Sequence, residues 1–195
     1  MSEANPLDRF VSRILLGADR AAAIETIKAN HYTHSVPSGK SYYIEFGPAI
    51  VVWSIPANKN LARFILKRPG NVWELSRLWA PDGHDKNLLT KAIAAAVKEI
   101  VKAERPEALV SYADPNAGHS GGVYRAASWL HHGTSEEVRT YIKDGQRVAR
   151  RAFHSGRKCL RKAEIEALGY AEEKLPGKER FVRPITKRAR RLLCG

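Results

Sequence analysis

Residues 110–129 read VSYADPNAGHSGGVYRAASW, and the order of residue types in that stretch decides how the rest of the chain must be arranged. Leu109 to Tyr112 is short, apolar and β-prone, which makes it a strand. Asp114 and Pro115 end it, because Asp bonds amides just downstream and Pro has no N–H for a ladder. Gly118, Gly121 and Gly122 carry the chain round a turn, Ser120 is placed to cap a helix, and Val123 to Leu130 has helical spacing. A strand, a polar loop and a helix with Tyr124 in its first turn form a unit that builds sites. The amides of a helix start attract negative charge, and a tyrosine there can give a proton to a leaving group. An ordinary strand–turn–helix with a buried tyrosine has the same pattern, so the surrounding sequence must decide.

Upstream, Asp19 can cap a helix to Asn30 with Ile24 and Ile27 inward, and His31 to Ser41 is a polar loop. Tyr42–Phe46 and Ala49–Ile55 flank Gly47-Pro48 as a hairpin, and Asn71–Ala80 is a further strand. Asn87 to Ala103 is the clearest helix, with Leu89, Ile93, Ala96, Val97 and Ile100 on one stripe. Downstream, Val138–Ile142 and Arg147–Phe153 flank Asp144-Gly145, a strong hairpin signal, and a helix from Lys158 to Leu168 stops at Gly169. Glu179–Ile185 is a last strand. This order predicts one α/β domain, a mixed twisted sheet flanked by helices. Residues 1–18 read as a leader, 19–186 as the domain with 141–186 its basic part, and 187–195 as a basic C-terminal tail.

The chain of 195 residues is long enough for one substantial core. No apolar run approaches the roughly 18 residues of a membrane span, and the start, MSEANPLDRF, is too polar for a signal peptide. Cys159 and Cys194 stand far apart, which argues against a disulfide framework or a cysteine zinc site. These features predict a cytoplasmic protein with no membrane partner. The net charge of +13 is lopsided: residues 141–195 hold 16 Lys or Arg against 6 Asp or Glu, and residues 1–140 hold 17 against 14. A basic C-terminal third predicts a polyanion partner, most simply nucleic acid, through Arg147, Arg150, Arg151, Arg157, Lys158 and Arg161.

Three clusters can carry chemistry. His31, His34 and Ser35 lie in the early loop, where two histidines can share a proton or begin a metal site. Glu74, Ser76 and Arg77 lie inside an apolar strand, where charge is costly unless paired or solvated by a pocket. Straight alternation puts Arg77 on one face with Trp73, Leu75 and Trp79, as a buried ion pair or a substrate anchor. Asp114, His119, Ser120 and Tyr124 form the third cluster, just past a strand's C-terminal end. Asp114 there can equally cap its own loop. No GxxxxGK[ST], GxSxG or HExxH motif is present.

The order of hairpin, Val72–Ala80 strand, Asn87–Ala103 helix, Leu109–Ala113 strand and Tyr124 helix resembles the core of the GNAT acyltransferases. In that family two central strands splay apart around an acyl donor, and a tyrosine often protonates the leaving thiolate. The GNAT diphosphate loop [RQ]xxGx[GA] is replaced here by PDGHDKNLL, with only Gly83 available, which departs from the usual binding of coenzyme A. More closely, NHYTHSVPSGKSYY, VVWSIPAN, WELSRLWAPDGHDKNLL and SYADPNAGHSGGVYRAASW, in that order from Asn30 to Trp129, resemble the Mom family of phage DNA modification proteins, and LPGKERFVRP is also similar.

That resemblance implies a GNAT-like fold and conversion of adenine in duplex DNA to N6-carbamoylmethyladenine, which protects phage DNA from restriction in a bacterial host cell. Carried over by position, it implies His31 (with His34 close by), Arg77, Asp114 and Tyr124 as catalytic residues, with Tyr42 or Tyr43 a further candidate; Asp114 or His31 is the expected base, Tyr124 the acid and Arg77 the anchor for donor or phosphate. From the clusters above, Ser76, His119 and Ser120, with Tyr43, are expected around the donor. Iron is associated with the family, and His31 and Asp114 could supply two ligands. The donor is open between an acyl-CoA and an activated glycine such as glycyl-tRNA. Carbamoylmethyl is an isomer of glycyl, so one glycine holds every atom required. Double-stranded DNA is the expected partner and tRNA a second; the oligomeric state is open, a dimer included. The rival readings are an ordinary GNAT N-acetyltransferase acting on protein, RNA or a small amine, and a non-catalytic DNA-binding protein on a GNAT scaffold.

Overall fold

The computed structural model describes residues 6–155 and 158–195, with all side chains among them except those at positions 6, 8, 149, 151, 155 and 158. Strands of three or more residues, in chain order, are β1 (Ser12–Ile14), β2 (Ser41–Phe46), β3 (Ala49–Ser54), β4 (Val72–Trp79), β5 (Ala108–Ala113), β6 (Leu130–Thr134), β7 (Val138–Lys143), β8 (Gln146–Ala149), β9 (Ala171–Leu175) and β10 (Glu179–Pro184). The α-helices are α1 (Gly17–Asn30), α2 (Leu61–Leu66), α3 (Leu88–Glu104), α4 (Gly122–Ala126), α5 (Lys162–Ala167) and α6 (Lys187–Cys194). Seven strands form one mixed sheet in the order β1-β2-β3-β4-β5-β10-β6, and β9-β7-β8 form a small separate sheet. In the large sheet β4 and β5 are parallel and their neighbours antiparallel.

Both faces of the large sheet are covered. The apolar stripe of α3, from Leu88 through Ile93 and Val97 to Ile100, packs on Ile44, Val51, Trp53, Trp73, Leu75 and Leu109. On the other face α1 covers Tyr43, Ile50 and Val52 with Ala23 and Ile27, and α2 and α6 cover Val72, Val110 and Val182. Burying Ile27, Ile65 or Ile93 fully contributes about 1.5–3 kcal/mol each.

One irregularity positions the site. β4 and β5 pair from Val72↔Ala108 to Leu75↔Ser111 and then part, although β4 continues to Trp79 and β5 to Ala113. At the same place β4 carries a bulge, because Trp53 pairs with Leu75 and Val52 with Arg77. Ser76 is the extra residue, and its hydroxyl donates to the Val52 carbonyl at 3.1 Å. A bulge inserts one residue and flips the alternation beyond it. Trp73 and Leu75 therefore face α3, whereas Arg77 and Trp79 face α1, and the straight alternation expected from sequence is corrected here.

Other expectations change for similar local reasons. Within the stretch expected as a leader, the described residues join the domain: Leu7 is buried with the α3 core, and β1 pairs with β2 from Ser12↔Phe46 to Ile14↔Ile44. The helix expected over Val123–Leu130 ends at Ala126, where Ser128 takes a left-handed φ of +59°. The turn sends Trp129 inward against Trp53 (ring centroids 6.3 Å apart) and starts β6, an unforeseen strand. Ser120 does not cap α4, whose N-cap is Gly121. The basic tail is the helix α6, capped by Thr186 and seated through buried Ala189. The Asp144-Gly145 hairpin forms, but its second strand ends at Ala149 rather than Phe153 and the helix expected from Lys158 starts at Lys162; β7 also pairs with β9, making a module with its own core of Tyr141, Phe153, Ile165 and Tyr170.

Gly121 has φ +77°, and a Cβ there would sit 2.4 Å from the Phe181 ring. Gly121→Ala should therefore lose about 2–4 kcal/mol from left-handed strain plus overpacking, read by urea unfolding. An unchanged midpoint would mean that Phe181 and the loop are free to move apart.

Candidate active site

Where β4 and β5 part, a cavity of about 340 Å³ opens, within the range of small-molecule sites. Its walls are residues 75–78 of β4, Tyr112 and Ala113 of β5, the loop and helix start at 118–124, Leu89 of α3, and His31 and Tyr32. The cavity thus reaches both faces of the sheet, α3 on one side and the end of α1 on the other.

Tyr124 lies at its floor, 7% exposed. Its hydroxyl is 2.8 Å from Ser111 Oγ, which is itself 2.8 Å from the Leu75 carbonyl. A carbonyl can only accept and Ser111 has one proton, so the chain runs Tyr124 O–H to Ser111 and Ser111 O–H to Leu75. Burial pushes the Tyr124 phenol up to about 12, so it stays protonated and able to donate.

His31, where α1 ends, is buried, and its Nδ1 accepts from the Thr33 amide at 3.2 Å. The proton of the neutral ring therefore sits on Nε2. Burial first, then Arg77 and His119, lower its pKa to about 4. At neutral pH His31 is a hydrogen-bond donor rather than a base. Tyr32 stacks on it at 4.5 Å and meets His119 at 5.0 Å, so three rings line one rim of the cavity.

Arg77 lines the cavity but is also bonded to the early loop: Nε donates to the Ser35 carbonyl at 2.8 Å and Nη2 to Ser35 Oγ at 3.1 Å. It pins that loop across the strands. Asp114 accepts from the Asn116 amide and side chain at 3.0 Å each, and its second oxygen pairs with Lys178 at 2.8 Å. Burial alone would raise its pKa, but Lys178 and Asn116 outweigh burial and hold it below the usual carboxylate range. Ser76, His119 and Ser120 are on the cavity wall. Tyr43 is not: it is packed with Ile27 and Val52 under α1, with the Arg20 guanidinium 5.2 Å from its ring. Tyr42, the alternative, bonds Glu104 at the end of α3.

Glu74 is the half-buried acid of β4, cross-strand from Ser54 and beside Val110. Among the described residues no hydrogen bond or ion pair reaches its carboxyl. Burial raises its pKa to about 7, with Arg77 and Lys178 opposing. Nothing in the structure supports an iron site at His31 and Asp114: Nδ1 of His31 accepts from the Thr33 amide, and Asp114 is engaged by Asn116 and Lys178. Among the described residues no group of three or more His, Cys, Asp or Glu could hold a metal.

Sequence reasoning missed Lys178, Ser111 and Tyr32. Lys178 leaves its signal as a charge after Pro176-Gly177, and Ser111 as a hydroxyl inside an apolar strand. Of the residues expected to bind DNA, Arg147 makes a two-point ion pair with Glu173, and Arg150 holds the Tyr141 hydroxyl at 2.6 Å and the Leu160 carbonyl at 3.0 Å. Arg161 is exposed at the start of α5. Arg157 and the side chains of Arg151 and Lys158 lie outside the described residues.

A model of the Mom protein family matches residues 14–194. The chain belongs to the Mom protein family. Among solved structures it is similar to Arabidopsis thaliana NAA60 in complex with acetyl-CoA, with 10% identity over 90% of this chain and 98% of that one and a TM-score of 0.53. The ribosomal-protein-S5-alanine acetyltransferase from Vibrio fischeri gives 9% identity, 90% and 93% coverage, and a TM-score of 0.51. At these identities the likeness is one of fold, and this Mom-family chain has the GNAT-like α/β architecture. No curated protein sequence matches it. No helix among the described residues is long and apolar enough to cross a membrane.

The displaced pKa values of His31 and Glu74 give opposite stability profiles. His31 binds a proton near pH 6.5 unfolded but only near 4 folded, so its contribution is full above 6.5 and falls away as pH drops toward 4, by up to about 3 kcal/mol. Glu74 binds its proton more tightly folded, so its cost appears as pH rises from 4.5 to 7 and is constant above. Glu74→Gln should stabilise the protein by about 1–3 kcal/mol at pH 8 and by nothing at pH 4. Unfolding midpoints across pH 4–8 for wild type, Glu74→Gln and His31→Gln check both signs.

Proposed function

We propose that this Mom-family protein modifies phage DNA by transferring an activated acyl group to N6 of adenine, leading to N6-carbamoylmethyladenine and protection from restriction. The observation that carries the reading is the cavity at the strand fork, which combines a buried protonated tyrosine with a rim of three rings. Adenine N6 is inaccessible to an acyl donor inside duplex DNA, so the base must be extruded into a pocket that receives its flat faces. His31, Tyr32 and His119 offer such faces at the cavity mouth.

The N6 lone pair is delocalised into the ring, so attack needs a base as well as an activated donor. Among the acids and bases at or beside the cavity, His31 has its lone pair engaged, Asp114 is held by Lys178 and Asn116, and Glu74 stands one residue before the wall at Leu75. Glu74 titrates near neutrality, as an efficient proton acceptor should, and is the base we assign in their place. N6 attacks the acyl carbon, a C–N bond forms, and the bond to the donor's leaving oxygen or sulfur breaks. Tyr124 gives that atom its proton and Arg77 holds the early loop over the reacting groups. A glycyl ester, on tRNA for instance, brings carbon and nitrogen together and requires an isomerisation after transfer. A coenzyme A ester with a separate nitrogen source is the alternative, and NAA60, which shares the fold, is described in complex with acetyl-CoA.

Nucleoside mass spectrometry of DNA from cells expressing the protein should show a modified deoxyadenosine. Tyr124→Phe should lower its yield by about 10²–10⁴ while circular dichroism and DNA affinity stay unchanged. Unmodified DNA with acetylated protein or RNA would return the chain to the ordinary acetyltransferases. Doubly labelled glycine should deliver carbon and nitrogen together, and carbon without nitrogen would remove the glycyl donor.

A further inference from the structure

The positive charge that the sequence gathers in its C-terminal third divides unevenly in three dimensions. Residues 59–68 and 180–191 hold ten Lys or Arg and no Asp or Glu. They come together on the face of the sheet that also carries α1, because α2 and α6 share the core of Leu61, Ile65, Val182 and Ala189. In the β7–β9 module, by contrast, Arg147, Arg150 and Lys162 are engaged with Glu173, Tyr141 and Glu172.

Between the end of α2 and the side of α6 runs a groove of about 480 Å³ lined by Lys67, Arg68, Arg188 and Arg191. Arg68 is paired with Glu107. Beside the groove Phe64 stands 49% exposed, with the Arg180 guanidinium 4.6 Å from its ring centroid and Lys67 Nζ at 5.3 Å. Arg180 reaches on toward the cavity, 5.9 Å from the ring of Tyr112, which is itself on the cavity wall. Its Nε, and Nδ1 of the adjacent His132, are buried with no partner among the described residues. A continuous track of cations and rings thus leads from α6 over Phe64 to the fork, on the side where His31 and Tyr32 form the rim.

We propose that this α2–α6 face is where duplex DNA lies, with Lys67, Arg188 and Arg191 on phosphates and Phe64 and Arg180 against the strand beside the extruded base. The proposal rests on the DNA-modifying reading above. Charge complementarity favours a phosphodiester backbone, since counterion release rewards clustered unpaired cations. An exposed aromatic beside them suits a wedge that holds open the gap a flipped base leaves. The surface keeps the basic C-terminal end that sequence composition singles out, adds α2 from outside it, and leaves aside the run from Arg147 to Arg161.

The test is fluorescence anisotropy of the full chain on a labelled duplex of about 25 base pairs across a salt series. Arg188→Gln with Arg191→Gln should weaken binding at least tenfold and flatten the slope of log affinity on log salt by about one per lost phosphate contact. Lys98→Gln with Lys102→Gln, on exposed positions of α3 across the sheet, should leave affinity and slope unchanged. Phe64→Ala should keep the slope but reduce the rise in 2-aminopurine fluorescence at the target position. Wild-type affinity and slope in the α6 variant at unchanged melting temperature would overturn the proposal. So would loss of affinity for tRNA but not for DNA. The functional reading is scored separately on nucleosides: unmodified DNA from wild type refutes that reading, whereas modification by an α6 variant with unchanged DNA affinity refutes the surface alone.

Discussion

The parting of β4 from β5 after Leu75 and Ser111 is the constraint on which the rest of the molecule depends. A parallel pair normally continues its ladder until one strand ends, yet here both strands run on, each held by its outer neighbour: β4 by β3 up to Trp79, and β5 by β10 up to Ala113. Two small hydroxyl side chains manage the break. Ser76 is the bulge residue and bonds back to Val52, which turns β4 away; Ser111 gives its proton to the Leu75 carbonyl just where the ladder stops. The second lone pair of Ser111 then receives the Tyr124 hydroxyl. The same atom that finishes the sheet therefore positions the buried phenol, and the stability of the fork and the orientation of the candidate acid have one cause.

Electrostatics around the fork follow from burial in a strongly cationic chain. With a net charge of +13, a buried imidazole has every reason to remain neutral, and Arg77, His119 and Lys178 add to the burial that holds His31 near 4. The two carboxylates diverge for the opposite reason. Asp114 has an adjacent ammonium and two amide donors, so it is a fixed anion that ties the loop after β5 to the turn before β10. Glu74 has Arg77 and Lys178 near enough to oppose its burial but not to outweigh it, and its pKa is raised to about 7. Environments that push like groups apart are what acid–base chemistry requires.

The sequence exposed the parts of this arrangement that depend on local pattern. The α3 stripe, the hairpin across Gly47-Pro48, the strand before Asp114 and the Asp144-Gly145 turn all follow from periodicity or turn chemistry within a dozen residues. The bulge at Ser76 was not legible, because a single polar residue in an apolar strand fits straight alternation equally well; the side of the sheet taken by Arg77 was lost with it. Nor was β6, since LHHGT has no strand pattern and pairs only because Ser128 and Trp129 turn the chain onto β10. The basic run at the end resembled a tail because its apolar residues are few; seated on Val110 and Val182, Ala189 and Leu193 suffice. Among site residues, His31, Arg77, Asp114 and Tyr124 converge on the fork or its loop. Their partners Ser111 and Lys178 are distant in sequence from what they touch and carry no motif.

A fork in a sheet solves a problem that a surface pocket does not. A transferase for a base in duplex DNA must bring together two bulky reactants, each needing its own surface, without either blocking the other. Here the cavity wall mixes residues from both sides: Leu75, Leu78, Leu89 and Tyr124 belong with the α3 face, whereas Arg77, Tyr112, His31 and Tyr32 belong with the α1 face. The fork is thus lined from both faces of the sheet. In the proposed reaction the donor enters from the α3 side with its leaving atom toward Tyr124. The base enters from the α1 side under the His31–Tyr32–His119 rim, and the two meet between strands whose ladder has already been given up. On this arrangement the exposed loop 81–87 before α3, with Asn87 in a left-handed conformation and no side-chain cap, contacts the donor's distal part rather than its reacting end. The identity of that distal part can therefore change in evolution without disturbing the chemistry at the fork.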